Sequence, residues 1–251
     1  MLDLVLLRHG QSTWNAKNLF TGWVDVDLTE KGEQEAHNAG LLLAGEDDLD
    51  LRVVHTSLLT RAIRTAEISL HTANRSWISV RRSWRLNERH YGDLQGKDKI
   101  ETRKLHGDEQ LQLWRRSFNV QPPPLSSDSE FSETNDPRYR DLSPNELPTT
   151  ECLADVLRRC VPYLKEAVIP DLKTEAQLGG AVLVVAHGNS IRAIRKYLEG
   201  ISETDITGLE IPTGIPFRYL LDKQLQVVKA TYLGDPDAAR AAAEAVARQA
   251  G

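Results

Sequence analysis

The chain has 251 residues, 40% of them hydrophobic and 27% charged, enough to bury a sizeable core in one large domain. A net charge of −5, with no extended basic tract, excludes a general nucleic-acid binder, and no apolar run approaches the length of a membrane span. The first strand begins at once, without a basic leader and cleavage site, so the expectation is a cytoplasmic protein.

Leu2–Gly10 reads LDLVLLRHG, an unbroken apolar run of strand length that ends in Arg8 and His9. Such a run, without alternation, suits a strand buried on both faces of a parallel sheet. A polar loop follows from Gln11 to Asp27, with Trp14, Asn15, Phe20, Thr21, Gly22 and Trp23. Thr29 is placed to cap a helix over Glu30–Ala44, whose Ala36, Ala39, Gly40 and Leu43 form one apolar stripe. A strand near Leu51–His55 leads into a helix from about Ser57, which puts Arg61 close to that helix's N-terminal end. A third apolar stretch, Trp77–Val80, precedes WRLNERHYGDLQ at Trp84–Gln95.

From about 96 to 150 the texture changes. A charged helical piece ending in LWRRSF gives way to a Pro/Ser-rich stretch of weak periodicity, read here as an insertion that covers a site. From Glu151 on, Leu153, Val156, Leu157, Cys160, Val161 and Leu164 make the stripe of a helix that Pro162 is expected to bend. Val182–Ser190 reads VLVVAHGNS and repeats the opening pattern, an apolar strand ending in His187 and Gly188. A helix from about Ser190 stops at Gly200, and a strand pair spans Phe217–Tyr232. The alanine-rich tail, about 233–251, reads as a light helix able to act as a lid. Cys152 and Cys160 read as free thiols, and without a CxxC or HExxH pattern no metal site is expected. Strands alternating with helices indicate an α/β fold: an open, mostly parallel sheet with helices on both faces, plus the inserted loop and helix subregion, in a single domain over 1–251.

In such sheets ligands bind beyond the carboxyl ends of the strands, where His9 and His187 both fall. Two imidazoles with Arg8 and Arg61 make an anion site in which one histidine does chemistry. A neutral imidazole is a competent nucleophile toward a phosphoryl group, and nearby guanidiniums disfavour its protonation. Phosphoryl transfer asks the protein mainly for positioning and positive charge, which arginine forks supply well. A transfer involving an alcohol also needs a proton carrier. Glu88, a lone acid among arginines, fits that role; a salt bridge to Arg85 or Arg89 fits it equally from local sequence. Arg81 and Arg82 read as solvated surface.

RHGQSTWN with FTGWVDVDLTEKG, TSLLTRAIRT, LNERHYGDLQG, WRRSF, AHGNSIRA and IPTGIP together resemble the cofactor-dependent phosphoglycerate mutases of the histidine phosphatase superfamily, over almost the whole chain. The resemblance implies that His9 becomes phosphorylated, that Arg8, Arg61 and His187 hold the transferring group, and that Glu88 is acid and base. Ser12, Asn15, Gly188 and Asn189 would complete the phosphate pocket. Thr21, Gly22, Arg89, Tyr91, Lys99, Arg115 and Arg116 would grip the other end of a glycerate. It further implies interconversion of 2- and 3-phosphoglycerate in glycolysis and gluconeogenesis, 2,3-bisphosphoglycerate as primer and intermediate, no metal, and a homodimer or homotetramer. Two departures stand out: Gln11 where many relatives carry Glu, and Asp93, whose charge near an anionic substrate must point away or be paired. The alternative reading keeps the same nucleophile in a phosphatase for a small phosphate ester such as bisphosphoglycerate. A binding module without catalysis would lack His9, His187 or Glu88, and all three are present.

Overall fold

The computed structural model describes residues 1–248, so the last three residues of the expected tail lie outside the described residues. Its strands are β1 (Leu2–Arg8), β2 (Leu51–Thr56), β3 (Ser79–Arg82), β4 (Ala181–Ala186), β5 (Phe217–Leu221) and β6 (Val227–Tyr232). They form one sheet in the order β3-β2-β4-β1-β5-β6. β1, β2, β3 and β4 run parallel, while β5 and β6 add an antiparallel edge beside β1.

The two apolar runs occupy the centre of the sheet, with Leu4 opposite Val182 and Arg8 opposite Ala186. Successive side chains in a strand point to opposite faces. Leu4, Leu6, Val182 and Val184 therefore join one core layer, while Val5, Leu7, Leu183 and Val185 join the other. Each fully buried aliphatic side chain contributes ~1.5–3 kcal/mol, which is why these positions admit no polar residue.

Helices α1 (Thr13–Ala16), α2 (Glu30–Ala44) and α3 (Thr60–Thr72) follow the first two strands. Thr29 caps α2 as expected, its hydroxyl accepting from Gly32 N. α2 and α3 cross closely at Gly40, where a Cβ would stand 2.5 Å from Thr72 Cβ and 2.6 Å from Ser69 O. Only glycine permits that crossing. Two boundaries differ from the sequence reading. The helix expected from about Ser57 begins at Thr60, leaving Ser57 buried in the turn before it. The third strand is Ser79–Arg82 rather than Trp77–Val80, and all of its residues are exposed. An edge strand with no buried face has no apolar pattern to mark its ends; Trp77 instead lies 66% exposed under the guanidinium of Arg52.

The segment from 96 to 150 holds α4 (Lys99–His106), α5 (Asp108–Arg116) and short 3-10 turns at Glu133–Asn135 and Pro137–Tyr139. Trp114 and Tyr139 anchor it as buried side chains, and Phe131 packs edge-on against Trp14. α6 (Leu153–Tyr163) continues through a π-turn at Leu164–Val168 into α7 (Ile169–Glu175). Pro162 thus does not end the helix. The donors missing at Pro162 and Pro170 flank a wider turn that re-registers the hydrogen-bond ladder. α8 begins at Gly188, two residues earlier than expected, and ends at Glu199 before left-handed Gly200. α9 (Pro236–Arg248) takes up most of the alanine-rich tail. Cys152 and Cys160 are buried free thiols.

Candidate active site

The parallel pairing of β1 with β4 sets both histidines side by side at the carboxyl edge of the sheet. His9 N donates to Ala186 O at 3.0 Å, and the two imidazole centroids stand 4.8 Å apart, edge to face. Gly10 follows because the chain turns against α2 there: a Cβ would lie 2.1 Å from Gly32 O.

His9 Nδ1 lies 2.7 Å from Gly10 O. A carbonyl only accepts, so Nδ1 carries the hydrogen and Nε2 keeps its lone pair. Burial, then the charges of Arg61 and Arg8, hold this imidazole well below its ordinary titration range. It is therefore neutral and nucleophilic at neutral pH. His187 is held low chiefly by burial as well, and next by Arg61 and His9. Its Nε2 meets Ser57 Oγ at 2.8 Å, while Nδ1 has no partner among the described residues.

Arg61 is 1% exposed and sits in the first turn of α3. Its guanidinium donates to Val24 O at 2.9 Å and Gly22 O at 2.7 Å, which fixes it against the loop carrying Thr21 and Gly22. Burial lowers it to about 10, so it stays a cation at neutral pH. Arg8 donates through Nη1 to Ile211 O at 2.6 Å, and its Nε has no partner among the described residues.

Glu88 Oε1 accepts from the backbone amides of Arg89 at 2.7 Å and Asn189 at 3.1 Å. Neither salt bridge considered from the sequence forms: Arg85 pairs with Glu166, and the Arg89 guanidinium donates to Arg115 O at 2.8 Å. Arg89 is fully buried and lies 4.5 Å from the Tyr91 ring centroid. Burial pushes the Tyr91 phenol up, but the cations of Arg89 and Arg115 outweigh this and bring it down to about 8. Burial likewise brings Lys99 down to about 8 and Arg115 to about 10, the latter helped by neighbouring Arg116. Arg116 is paired with Glu210.

These groups surround one cleft. Arg8, His9, Arg61, Glu88, Gly188 and Asn189 line it with Asn15, Thr21 and Gly22, and so do Tyr91, Lys99, Arg115 and Arg116. Three residues expected in the site do not line it. His187 stands behind His9. Arg89 lies beneath Tyr91, and Ser12 is buried as the cap of α1, accepting from Asn15 N at 3.1 Å. Asp93 points away from the cleft and is paired with Lys97 at 2.6 Å, which removes the conflict its charge would create. Gln11 accepts from the Thr29 hydroxyl through Oε1 at 3.0 Å.

Phe20, Arg192, Glu210, Ile211 and Val246 also line the cleft, and sequence reasoning missed them. Arg192 had a local signal. It follows Asn189 by one helical turn and donates to Asn189 Oδ1 at 2.9 Å. Glu210 and Ile211 are brought in by the long segment before β5, at the start of the IPTGIP motif, which marks the segment without marking these side chains as cleft residues.

The profile of the histidine phosphatase superfamily (branch 1) matches residues 4–140 and 127–230. Curated relatives named 2,3-bisphosphoglycerate-dependent phosphoglycerate mutase include that of Streptomyces griseus, 59% identical over 98% of this chain and 96% of its own. That of Thermobifida fusca is 59% identical over 99% of both chains. Among solved structures, a mycobacterial glucosyl-3-phosphoglycerate phosphatase superposes with a TM-score of 0.67 at 23% identity, over 92% of this chain and 97% of the other. A putative α-ribazole-5′-phosphate phosphatase from Escherichia coli gives 0.65 at 20% identity, over 94% and 98%. The solved structures share the fold, while the curated relatives match nearly end to end at high identity. By the family profile and the curated relatives, the chain belongs to the histidine phosphatase superfamily, within its 2,3-bisphosphoglycerate-dependent phosphoglycerate mutase family.

Proposed function

We propose that this chain interconverts 2-phosphoglycerate and 3-phosphoglycerate, in glycolysis and gluconeogenesis, through a phosphohistidine at His9 and a 2,3-bisphosphoglycerate intermediate. The observation that carries the reading is the presence of two cationic groups of residues in one cleft. Arg61 and Arg8 carry the charges that act on His9, and Lys99, Arg115 and Arg116 line the same cleft. One set serves the transferring phosphoryl group and the other holds the far end of the substrate. The buried Nε of Arg8, which lines the cleft and has no partner among the described residues, fits an anionic ligand.

In the forward half, His9 Nε2 attacks a phosphorus of 2,3-bisphosphoglycerate, its lone pair free because Nδ1 is bonded to Gly10. The N–P bond forms, the P–O bond to the glycerate breaks, and the departing oxygen takes a proton from Glu88. In the return half the Glu88 carboxylate removes the proton of a substrate hydroxyl, whose oxygen attacks the phosphohistidine. Arg8 and Arg61 balance the charge spread over the equatorial oxygens, and His187, neutral and packed against His9, holds the nucleophile's ring in place. Asn15, Gly188 and Asn189 bound the phosphate, and Thr21, Gly22, Tyr91, Lys99, Arg115 and Arg116 bind the remaining groups. Ser12 and Arg89 act from beneath, as a loop cap and as the support of Tyr91.

The same reading makes 96–150 an insertion and α9 a cover that keep water from the phosphoenzyme, in one domain over 1–251. It also makes the protein a cytoplasmic homodimer or homotetramer. A coupled assay of 3-phosphoglycerate conversion, with and without added bisphosphoglycerate and with phosphate release measured in parallel, tests the proposal. Bisphosphate-stimulated isomerisation outrunning phosphate release is the expected result. Phosphate release without isomerisation overturns it in favour of a phosphatase.

A further inference from the structure

We infer that Arg159, in partnership with Glu151, is the positioning residue for proton transfer by Glu88, a role that rests on the phosphohistidine reading above. Neither residue lines the cleft. Arg159 is 7% exposed on α6, Glu151 is 3% exposed just before it, and together they form a buried ion pair. Such a pair is a weak source of stability, because desolvation offsets most of the Coulomb gain. What sets this one apart is where its other hydrogen bonds go.

Arg159 Nε and Nη2 donate to Glu151 at 2.6 and 2.8 Å. The rest of the fork is spent on the backbone that carries Glu88. Nη1 donates to Arg85 O and Asn87 O, both at 2.9 Å, and Nη2 donates to Glu88 O at 2.8 Å. Glu151 Oε2 in turn accepts from His90 N at 2.8 Å. Trp23, which lies 5.6 Å from the guanidinium, donates its indole N–H to the same Glu88 carbonyl at 2.6 Å. One ion pair thus grips the chain on both sides of Glu88. With Oε1 committed to two backbone amides, the place of the free oxygen is set by the backbone and not by a side-chain partner.

Only a planar guanidinium can serve a carboxylate and several carbonyls at fixed angles; an ammonium is a point donor. Arg159→Lys therefore keeps the charge and loses the geometry. A shift of about 1 Å in a reacting group costs on the order of 10²-fold in rate. Phosphorylation of His9 by 2,3-bisphosphoglycerate breaks a P–O bond to an alkoxide that needs the Glu88 proton. Phosphorylation by 2,4-dinitrophenyl phosphate forms the same N–P bond but releases a phenolate that is stable without one.

The experiment compares the two donors in rapid-mixing measurements on the full chain, with folding checked by circular dichroism. Arg159→Lys is expected to slow labelling by bisphosphoglycerate by ~10–100-fold while leaving the dinitrophenolate burst unchanged. Equal losses with both donors assign the pair a merely structural role and overturn the inference, as does no loss with either. Glu151→Gln, which keeps the shape of the carboxylate, is read in the same way should the lysine variant not fold. If the wild-type chain itself takes no label from bisphosphoglycerate, the phosphohistidine reading has failed rather than the role of Arg159.

Discussion

The far end of the cleft is held by side chains that change charge just above neutral pH. Lys99 and Tyr91 both titrate at about 8 and line the cleft together. As pH rises through that value, the ammonium loses its positive charge and the phenol gains a negative one, so both changes remove attraction for an anion. From pH 7 to pH 9 each group goes from about nine-tenths in its favourable form to about one-tenth. The two also feel one another, so the observed steps belong to the pair. A hydrogen bond to a charged group contributes ~1.5–3 kcal/mol, and each ~1.4 kcal/mol is tenfold in affinity. KM for 3-phosphoglycerate should therefore rise by at least ~10-fold between pH 7 and pH 9. Bound substrate holds Lys99 protonated, and His9 remains neutral throughout, so kcat should change little by comparison. Initial rates at saturating bisphosphoglycerate across this range provide the measurement. Lys99→Met should bring KM at pH 7 up toward its high-pH value and flatten the dependence, and Tyr91→Phe should remove part of it. A KM that stays level to pH 9, or a loss confined to kcat, refutes this account of the far subsite.

Three further outcomes follow from the site. Brief exposure to labelled 2,3-bisphosphoglycerate should leave acid-labile, base-stable label on His9, absent in His9→Ala; label on His187, read by peptide mapping, would reverse the assigned roles. Glu88→Gln keeps its bonds to the Arg89 and Asn189 amides but cannot carry a proton, so isomerisation should fall ~10²–10⁴-fold in the coupled assay. Removing α9 by truncation after Gly234, which spares the buried Leu233, strips Val246 from the cleft. The shortened chain should still take label at His9, with slower isomerisation and a higher ratio of phosphate release to isomerisation; an unchanged ratio would leave the exclusion of water to the 96–150 segment alone.

How much of this was legible in the sequence depended on the range of the signal. The central strands were readable because burial on both faces writes itself as an unbroken run of Leu and Val, and the histidines were readable because they end those runs. The cap of α2 and the glycine at the end of α8 were readable because each acts within a turn of its own position. β3 was misplaced because an exposed edge strand imposes no pattern on its side chains, and apolar Trp77 drew the boundary toward itself.

The site divides along the same line. Arg61 could be placed from its spacing after β2, yet what holds it, the carbonyls of Gly22 and Val24, lies 37 to 39 residues away. Glu88 was visible as a lone acid among arginines, and the obvious inference from neighbours, a salt bridge to Arg85 or Arg89, is the one the fold rejects. Its real partners are backbone amides and, through its own carbonyl, Arg159 from 71 residues along the chain. Backbone donors and acceptors are identical at nearly every position, so a sequence cannot mark which of them a side chain will seek. Glu151 and Arg159 sit at the start and edge of an apolar helical stripe, where they read as the polar margin of α6. Two opposite charges eight residues apart are the trace they leave in the sequence, and their purpose becomes visible once the fold buries them as a pair against the carbonyls of Arg85, Asn87 and Glu88.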